Sequence, residues 1–479
     1  MKYITLFETS TAYNVATLDL PNVSLTVDNN TVHYNPYVEP PHDYSQDYFT
    51  MVVTSGGDIK WSGSTTANTL SYSKDNGETW TTANSATPIS VTASDKVLWK
   101  GTPTPQSNKG IGKFSGATDV RYSVEGNAMS LLFGDNFKGQ TSLNGKSYAL
   151  YGLFNGNKNV TSAENLSLPA TTLANNCYYS MFSSCTSLTT APELPATTLE
   201  NNCYYSMFAS CSSLTTAPEL PATTLANNCY YYMFTSCTNL TTAPELPATT
   251  LASDCYYYMF RGCTNLTAAP VLSATTLADY CYYGMFASCS SLTTAPELPA
   301  TTLVSNCYKN MFASCTSLTT APELPATTLV SNCYQYMFAS CTSLTTVPSV
   351  LPATTLAESC YDSMFSNCTN LTAAPELPAT TLAYACYNQM FNKCTSLTAA
   401  PELPTTTLAE SCYSDMFASC TSLSSIKCLA TDISAYKCIY NWVNGVASSG
   451  TFTKAASMSS WTEGTSGIPS GWTVQTYTP

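Results

Sequence analysis

Cysteine is the residue type in this chain with the widest capacity for chemistry. Of 479 residues 22 carry a thiol, and 20 of these fall in pairs eight apart, from Cys177 with Cys185 to Cys412 with Cys420. Thiols in that number suggest a disulfide framework, a zinc site or a nucleophile. On a helix two cysteines eight apart lie ~12 Å from each other, beyond the ~7 Å limit for bridging Cα atoms. Equivalents on packed helices ~8–10 Å apart are also out of reach. Zinc calls for Cys-x-x-Cys or histidine partners, and the stretch from Cys177 to Cys420 holds neither. The two histidines are His33 and His42, which rules out a Ser-His-Asp or Cys-His centre in that stretch. The array cysteines therefore read as buried free thiols packing as small apolar groups. Cys428 and Cys438 stay open as a pair.

Carboxylates come next. Glu193, Glu219, Glu245, Glu297 and Glu323 each follow a proline at equivalent places, as do Glu376 and Glu402. Stacked like charges repel, so this ladder is either solvated, the default, or bridged by divalent cations, the weaker alternative. No motif singles out a carboxylate pair for glycoside cleavage. The remaining candidates act by contact: Tyr179, Tyr205, Tyr231, Tyr232, Tyr257, Tyr258, Tyr283, Lys309, Gln335 and Tyr336. Tyrosine gives large contact area for little lost entropy. These are candidate binding residues, or equally surface residues half buried against the next unit.

All of them are positioned by a repeat. A unit of about 26 residues, near L-P-A-T-T-L-x-x-x-C-Y-x-x-M-F-x-x-C-[TS]-[SN]-L-T-T-A-P-E, occurs ten times, with its first Cys at 177, 203, 229, 255, 281, 307, 333, 360, 386 and 412. The one 27-residue step falls at Val347–Pro352, which marks a turn or loop. Such regularity means stacked units. Counting the first Cys as position 0, residues at 0, 1, 4, 5 and 8 are constant while 2, 3, 6 and 7 vary. Spacings of 4 and 8 belong to one helical face, so Leu173 to Cys185 and its equivalents read as a short helix with a buried constant stripe, capped by Thr171 or Thr172. Leu188 to Pro195 reads as a short strand, its ladder broken at Pro192 and Pro195. A strand spacing of ~4.8 Å opposite a helix spacing of ~8–10 Å would make the stack curve, strand side concave.

The frame Phe182, Cys185, Leu188, Ala191, Leu194, Pro195, Leu199 resembles the leucine-rich repeats of the BspA type and recurs through about 250 residues. The Pro-Glu pair adds a residue to that pattern, and Ala191 stands where a larger apolar residue is usual. The resemblance implies an α/β repeat solenoid, leucine-rich-repeat-like, with a short strand and a short helix per rung. Tyr151 to Pro169 repeats the frame in degenerate form, with Asn157 for Cys, and reads as a cap. Beyond Cys420, Ser424 to Ala430 suggests a last strand and Ala435 to Val443 a last helix, with Trp442, Trp461 and Trp472 closing the end.

The formal charge is −13, and the array holds 14 carboxylates against Lys309, Lys393 and Arg261. That surface repels phosphate backbones, which excludes nucleic acid and disfavours anionic membrane. No apolar run reaches the ~18–20 residues of a span, and Met1 to Thr5 leads into no signal-type core. Upstream, alternation in Val23–Val27 predicts strands, Pro36 to Asp43 a linker, and the segments from Phe49 to Trp99 a small β-sandwich in an all-β N-terminal region. Within it Ser73-Lys74-Asp75-Asn76-Gly77-Glu78-Thr79-Trp80 matches the Asp-box familiar from sialidases, which in that family is a structural hairpin. A sialidase would carry several boxes and an arginine cluster, and this chain has one box and two arginines, Arg121 and Arg261.

The opening Met1 to Phe7 with Val32 to Tyr37, and the closing Trp442 to Phe452 with Gly467 to Trp472, resemble virion appendage proteins of gut-bacterial phages and related repeat proteins. That resemblance implies a non-enzymatic virion fibre or decoration protein, made in the host cytoplasm. Its N-terminal region would dock on other virion proteins, and its repeats would meet a host surface protein or glycan. The alternative is a bacterial cell-surface leucine-rich-repeat adhesin, and a carbohydrate-active enzyme ranks below both. No cofactor is expected, and a homo-oligomer stays open. The expected organisation is residues 1–44 as attachment segment and linker, 45–128 as sandwich, 129–172 as cap repeat, 173–423 as solenoid and 424–479 as C-terminal cap.

Overall fold

The computed structural model describes residues 23–28, 31–36, 42–83, 87–459 and 461–478. It comprises two compact units, Met1–Asp43 and Tyr44–Pro479. In the first, β1 (Val23–Asp28) and β2 (Thr31–Pro36) form an antiparallel hairpin. The rest of the proposed attachment segment, residues 1–22, and most of the linker, residues 37–41, lie outside the described residues.

The second unit begins with two sheets. β3 (Phe49–Ser55), β5 (Leu70–Ser73), β6 (Thr81–Ala83), β8 (Lys96–Lys100) and β10 (Arg121–Asn127) make the larger, in the order β6-β5-β8-β3-β10. β4 (Gly57–Gly63), β7 (Ile89–Val91) and β9 (Gly112–Gly116) make the smaller, β7-β4-β9. Inward alternation along β3 buries Phe49, Met51 and Val53. Phe49 and Trp99 of one sheet meet Phe114 of the other at 5.7 and 4.9 Å between ring centroids. The edge strand β10 is not left open. It pairs in parallel with β11 (Val160–Ser162) and β12 (Leu166–Ser167), which belong to the cap repeat, so the sandwich covers the first edge of the stack.

The repeats contain no helix, which overturns the expected strand-plus-helix rung. The one α-helix among the described residues is Ser130–Phe133. Leu173 to Cys185 is instead a run of overlapping turns. Residues at even positions donate within the rung, as Cys177 N to Ala174 O, Tyr179 N to Asn176 O and Met181 N to Tyr178 O at 3.1–3.3 Å. Residues at odd positions donate to the next rung, as Tyr178 N to Cys203 O, Ser180 N to Tyr205 O and Phe182 N to Met207 O at 2.8–3.0 Å. An α-helix would need every amide bonded inside its own segment.

The turns are set by left-handed residues at positions −1, 3 and 7 of all ten units, as at Asn176 (φ 59°), Ser180 (φ 51°) and Ser184 (φ 59°). Each interrupts a right-handed helix. Ser, Asn, Asp and Gly bear this conformation at low cost, and the two array glycines, Gly262 and Gly284, both occupy such positions. The repeat is thus four residues per turn, two in and two out. Over eight residues that pattern coincides with one face of a helix. The cap (Leu150 N to Cys177 O, Phe154 N to Met181 O) and the Ala435–Gly445 segment (Tyr413 N bonded to Cys438 O) are rungs of the same kind, so the expected last helix is also a run of turns.

On the opposite side, Thr216, Thr242, Ala268, Thr294, Thr320 and Thr346, each two residues before the first proline that follows its turns, form successive isolated parallel bridges. Both sides of each rung are bonded to the next, so the spacing mismatch that called for curvature is absent. Stacking in register builds columns. Tyr178 to Tyr413, at position 1, lie ring over ring at 5.7–6.1 Å, and Phe154 to Phe417, at position 5, at 5.2–5.8 Å. Phe114 of the sandwich extends the Phe column at one end (5.5 Å), and Trp442 closes both columns at the other (6.2 Å each). Beyond it β13 (Ser425–Cys428), β14 (Thr451–Ala455) and β15 (Thr473–Tyr477) pair in parallel.

Two substitutions probe this architecture by chemical denaturation. Phe286→Ala removes a fully buried ring from the column and is expected to cost ~3–5 kcal/mol, while Tyr283→Ala, at half-buried position 2, costs much less. A Cβ on Gly284 would stand 2.1 Å from Tyr258 Cε1, whereas the nearest atom to one on Gly262 is at 3.5 Å. Gly284→Ala should therefore destabilise by ~1–3 kcal/mol more than Gly262→Ala. Equal losses in either pair would contradict the assigned faces.

Candidate functional site

All 22 thiols are free and buried. The second Cys of each unit donates to the Phe carbonyl of the preceding rung, as Cys211 Sγ to Phe182 O (3.0 Å) and Cys237 Sγ to Phe208 O (3.1 Å). The same carbonyl accepts the amide of its own rung's Cys (Cys185 N to Phe182 O, 3.0 Å), so the thiol supplies its second donor. In the cap Asn157 replaces this Cys and ties the stack to the sandwich through Phe114 O (3.1 Å) and Tyr122 Oη (2.7 Å). Distance does not exclude bridges between rungs, contrary to the spacing expected of packed helices. Hydrogen-bonded rungs bring equivalent Cα atoms to ~4.8 Å, inside the bridging range. Burial pushes the Cys177, Cys229 and Cys237 thiols up to about 12 and Cys203 well above its ordinary value. These thiols are poor nucleophiles.

The Pro-Glu side is open to solvent. Glu193, Glu219, Glu245, Glu297 and Glu323 are exposed, one per rung. Shallow grooves lie between rungs where the prolines donate no hydrogen bond, one of about 480 Å³ flanked by Glu297 and Glu323 and one of about 350 Å³ flanked by Glu193 and Glu219. Among the described residues no three His, Cys, Asp or Glu side chains converge as a metal site. Lys427 meets Glu402 at 2.9 Å at the far end of the ladder.

The tyrosine side is where the sequence candidates come together. Tyr179, Tyr205, Tyr231, Tyr257 and Tyr283, all at position 2, form one column with ring separations of 4.3–4.6 Å and interplanar angles of 2–10°. Sequence reasoning missed its first member, Tyr151 of the cap, 4.7 Å from Tyr179. Aligning the cap on the unit places Tyr151 at position 2, and that was the available signal. Tyr232 and Tyr258, at position 3, stand edge-on to the column at 72–88°. Arg261 lies over Tyr258 at 5.0 Å, and Lys309 ends the column over Tyr283 at 5.8 Å. Tyr336 stands apart at position 3 of a later rung, 38% exposed. The column rings cover one another's faces, so they offer edges and hydroxyl groups to a partner, not stacking platforms. Burial raises the hydroxyl pKa of Tyr179, Tyr205, Tyr231 and Tyr257 and that of Tyr258 to about 12, which keeps all five protonated donors.

Beyond Lys309 position 2 becomes polar and buried. Gln335 Nε2 donates to Asp362 Oδ2 (2.7 Å), and Ser363 Oγ and Asn388 Nδ2 donate to Asp362 Oδ1 (2.8 and 3.1 Å). Gln335 Oε1 is buried with no hydrogen-bond partner among the described residues. Burial outweighs the three donors and raises the Asp362 pKa. In the sandwich the Asp-box is a hairpin loop. Asp75 accepts from Ser73 Oγ (2.6 Å) and Thr79 N (2.9 Å), and Trp80 Nε1 closes on Gly77 O (3.1 Å). These hydrogen bonds, that from Ser73 foremost, lower the Asp75 carboxyl to about 2. All of its acceptor capacity is turned on its own loop.

A sequence profile described as "BspA type Leucine rich repeat region", in six copies, matches residues 154–267, 258–398 and 327–443, more than half of the chain. No curated protein matches it. Among solved structures, a leucine rich cell surface protein from Faecalibacterium prausnitzii A2-165 is similar at 18% identity, over 58% of this chain and 81% of that one, with a TM-score of 0.30.

Two measurements test these environments. Thiol titration of the native chain at pH 8 should modify almost none of the 20 array cysteines, with full reaction on denaturation; rapid native labelling would refute their burial. Because its folded pKa is raised, Asp362 contributes stability that is fully present below the unfolded value of ~3.9 and is lost as pH rises through the folded value. Asp362→Asn should remove that part of the pH dependence of Tm and stabilise the chain at pH 7 by ~1 kcal/mol, with an amide now available to Gln335 Oε1. An unchanged Tm–pH profile would show that the carboxylate is solvated.

Proposed function

The chain belongs to the BspA-type leucine-rich repeat family, and from that premise we propose that it is a non-enzymatic adhesion protein of a bacterial cell surface, whose array holds a macromolecule or glycan. The observation that carries this reading is the column of six tyrosines from Tyr151 to Tyr283. It sets a row of ring edges and hydroxyls at regular spacing along one side of the stack, with Arg261 and Lys309 beside it. The array thiols are buried, and its histidine content is nil, so the surface supports holding, not turnover. An extended partner with its own repeat, such as a polysaccharide, suits a surface that repeats at rung spacing. A second reading, the virion fibre, is favoured by the resemblance of the terminal segments to phage appendage proteins.

Two experiments bear on it. Binding of the full chain to bacterial or host cells and to immobilised glycans should fall at least about tenfold in the triple variant Tyr205→Ser, Tyr231→Ser, Tyr257→Ser, the sum of three weakened contacts. The variant Glu297→Gln, Glu323→Gln should bind as the parent does. Undiminished binding by the tyrosine variant would refute the proposed face. Mass spectrometry of surface-shaved bacteria and of purified phage particles should find the chain on cells; recovery with particles alone would replace the cell-surface reading with the virion one.

A further inference from the structure

We propose that the cleft between the sandwich and the cap repeat is an oxyanion site that takes a carboxylate or sulfate group carried on a sugar. The cleft holds about 340 Å³ and is lined by Lys113 of β9, Arg121 at the start of β10 and Lys158 of the cap loop, with Ser115, Thr118 and Asn155. Three cations from three chain segments thus converge, and no carboxylate lines the cleft. This is unusual in a chain of net charge −13. Elsewhere in the sandwich Lys74, Lys96 and Lys100 are each paired with an acid, at 3.0, 2.9 and 2.7 Å, while among the described residues the isolated Lys60 and Lys109 are not. Among the described residues Lys113, Arg121 and Lys158 have no such partner. Asp119, in the same loop, is exposed, outside the lining, and forms no ion pair with them.

The cleft is held in shape by groups that do not compete for a ligand. Arg121 Nη1 donates to Thr118 O (2.7 Å) and Val120 O (2.8 Å), which fixes the guanidinium and leaves its other three N–H donors without an acceptor among the described residues. That remaining edge is the one that grips a carboxylate or sulfate with two parallel hydrogen bonds. Asn157 and Asn159 are each 5% exposed, and their amide groups are committed: Asn157 Nδ2 to Phe114 O and Tyr122 Oη, Asn159 Nδ2 to Ala117 O (2.6 Å) and Val120 O (2.9 Å). Like charges gathered without a counter-charge are stabilised by the anion that completes them. The volume exceeds that of a bare ion and matches the lower range of small-molecule sites, ~300 Å³, and the Ser115, Thr118 and Asn155 rim suits ring hydroxyls.

The test is calorimetric titration of the full chain at low ionic strength with sodium sulfate, glucose 6-sulfate, glucuronate and glucose. At least one sugar anion should bind, and more tightly than inorganic sulfate, with glucose silent. Affinity should fall about tenfold or more in Arg121→Gln and severalfold in Lys113→Gln and in Lys158→Gln, and stay at parent level in Lys138→Gln. Arg121→Lys, which keeps the charge and loses the fork, should lie between. Lys113 and Lys158 are exposed, so their variants carry the test if Arg121→Gln unfolds. Absence of binding up to about 10 mM, or binding that none of the three cleft variants weakens, overturns the site. Equal affinity for sulfate and both sugar anions, an adventitious ion only, overturns the sugar.

Discussion

The alternation of backbone amides, one turned into its own rung and the next into the neighbouring rung, is the constraint on which this structure rests. From Asn176 to Cys185 it gives every backbone amide an acceptor, although that segment is neither helix nor strand. It also fixes register. A slip of one residue would send each amide to the wrong set of acceptors, as a one-residue slip in a sheet turns side chains to the wrong face. The 27-residue unit shows the rule being kept. The usual offset across rungs is 25, as from Tyr178 N to Cys203 O, and it becomes 26 from Tyr334 N to Cys360 O, after which the turns resume in phase. The extra residue is absorbed on the proline side, where bonding is sparse.

What the sequence disclosed follows from this. The buried stripe at positions 0, 1, 4, 5 and 8 was legible because, within the turn segment, the buried positions are the ones that stay constant. The backbone path behind the stripe was not, since a four-residue turn and a 3.6-residue helix differ by less than half a residue over one turn and place the same side chains inward. The distinguishing signal was in the variable positions. Ser, Asn, Asp or Gly recurs at −1, 3 and 7, and Gly262 and Gly284 fall at two of them, a preference that helical surface positions do not impose. The candidate surface was half legible for the same reason. Positions 2 and 3 look equally variable in sequence, yet position 2 stacks into a column and position 3 carries the left-handed residue whose ring stands against it.

Residue types that suggested chemistry turn out to be used structurally. Cys at position 8 gives the Phe carbonyl a second donor where Ala would leave one bond fewer. Cys at position 0 and Tyr at position 1 fill layers of identical shape, ended by Trp442 where the stack turns to other residues. Asn157 shows the converse. One substitution in the Cys frame converts a bond between rungs into the bonds that seat the array on the sandwich. Groups left over from this framework are few, chiefly the tyrosine edges, the glutamate row and the cations around Arg121. These are the places where a partner can be recognised without disturbing the stack.

The hydrogen bonds between rungs have a mechanical meaning. They run along the stack, so a load applied between its two ends pulls on them lengthwise, and the rungs carry that load in series. The interface that yields first frees one unit, 26 residues or roughly 90 Å of extended chain at ~3.4 Å per residue, while its neighbours remain folded as nearest-neighbour units. A stack built in this way lengthens stepwise under load, and its reach scales with the number of units.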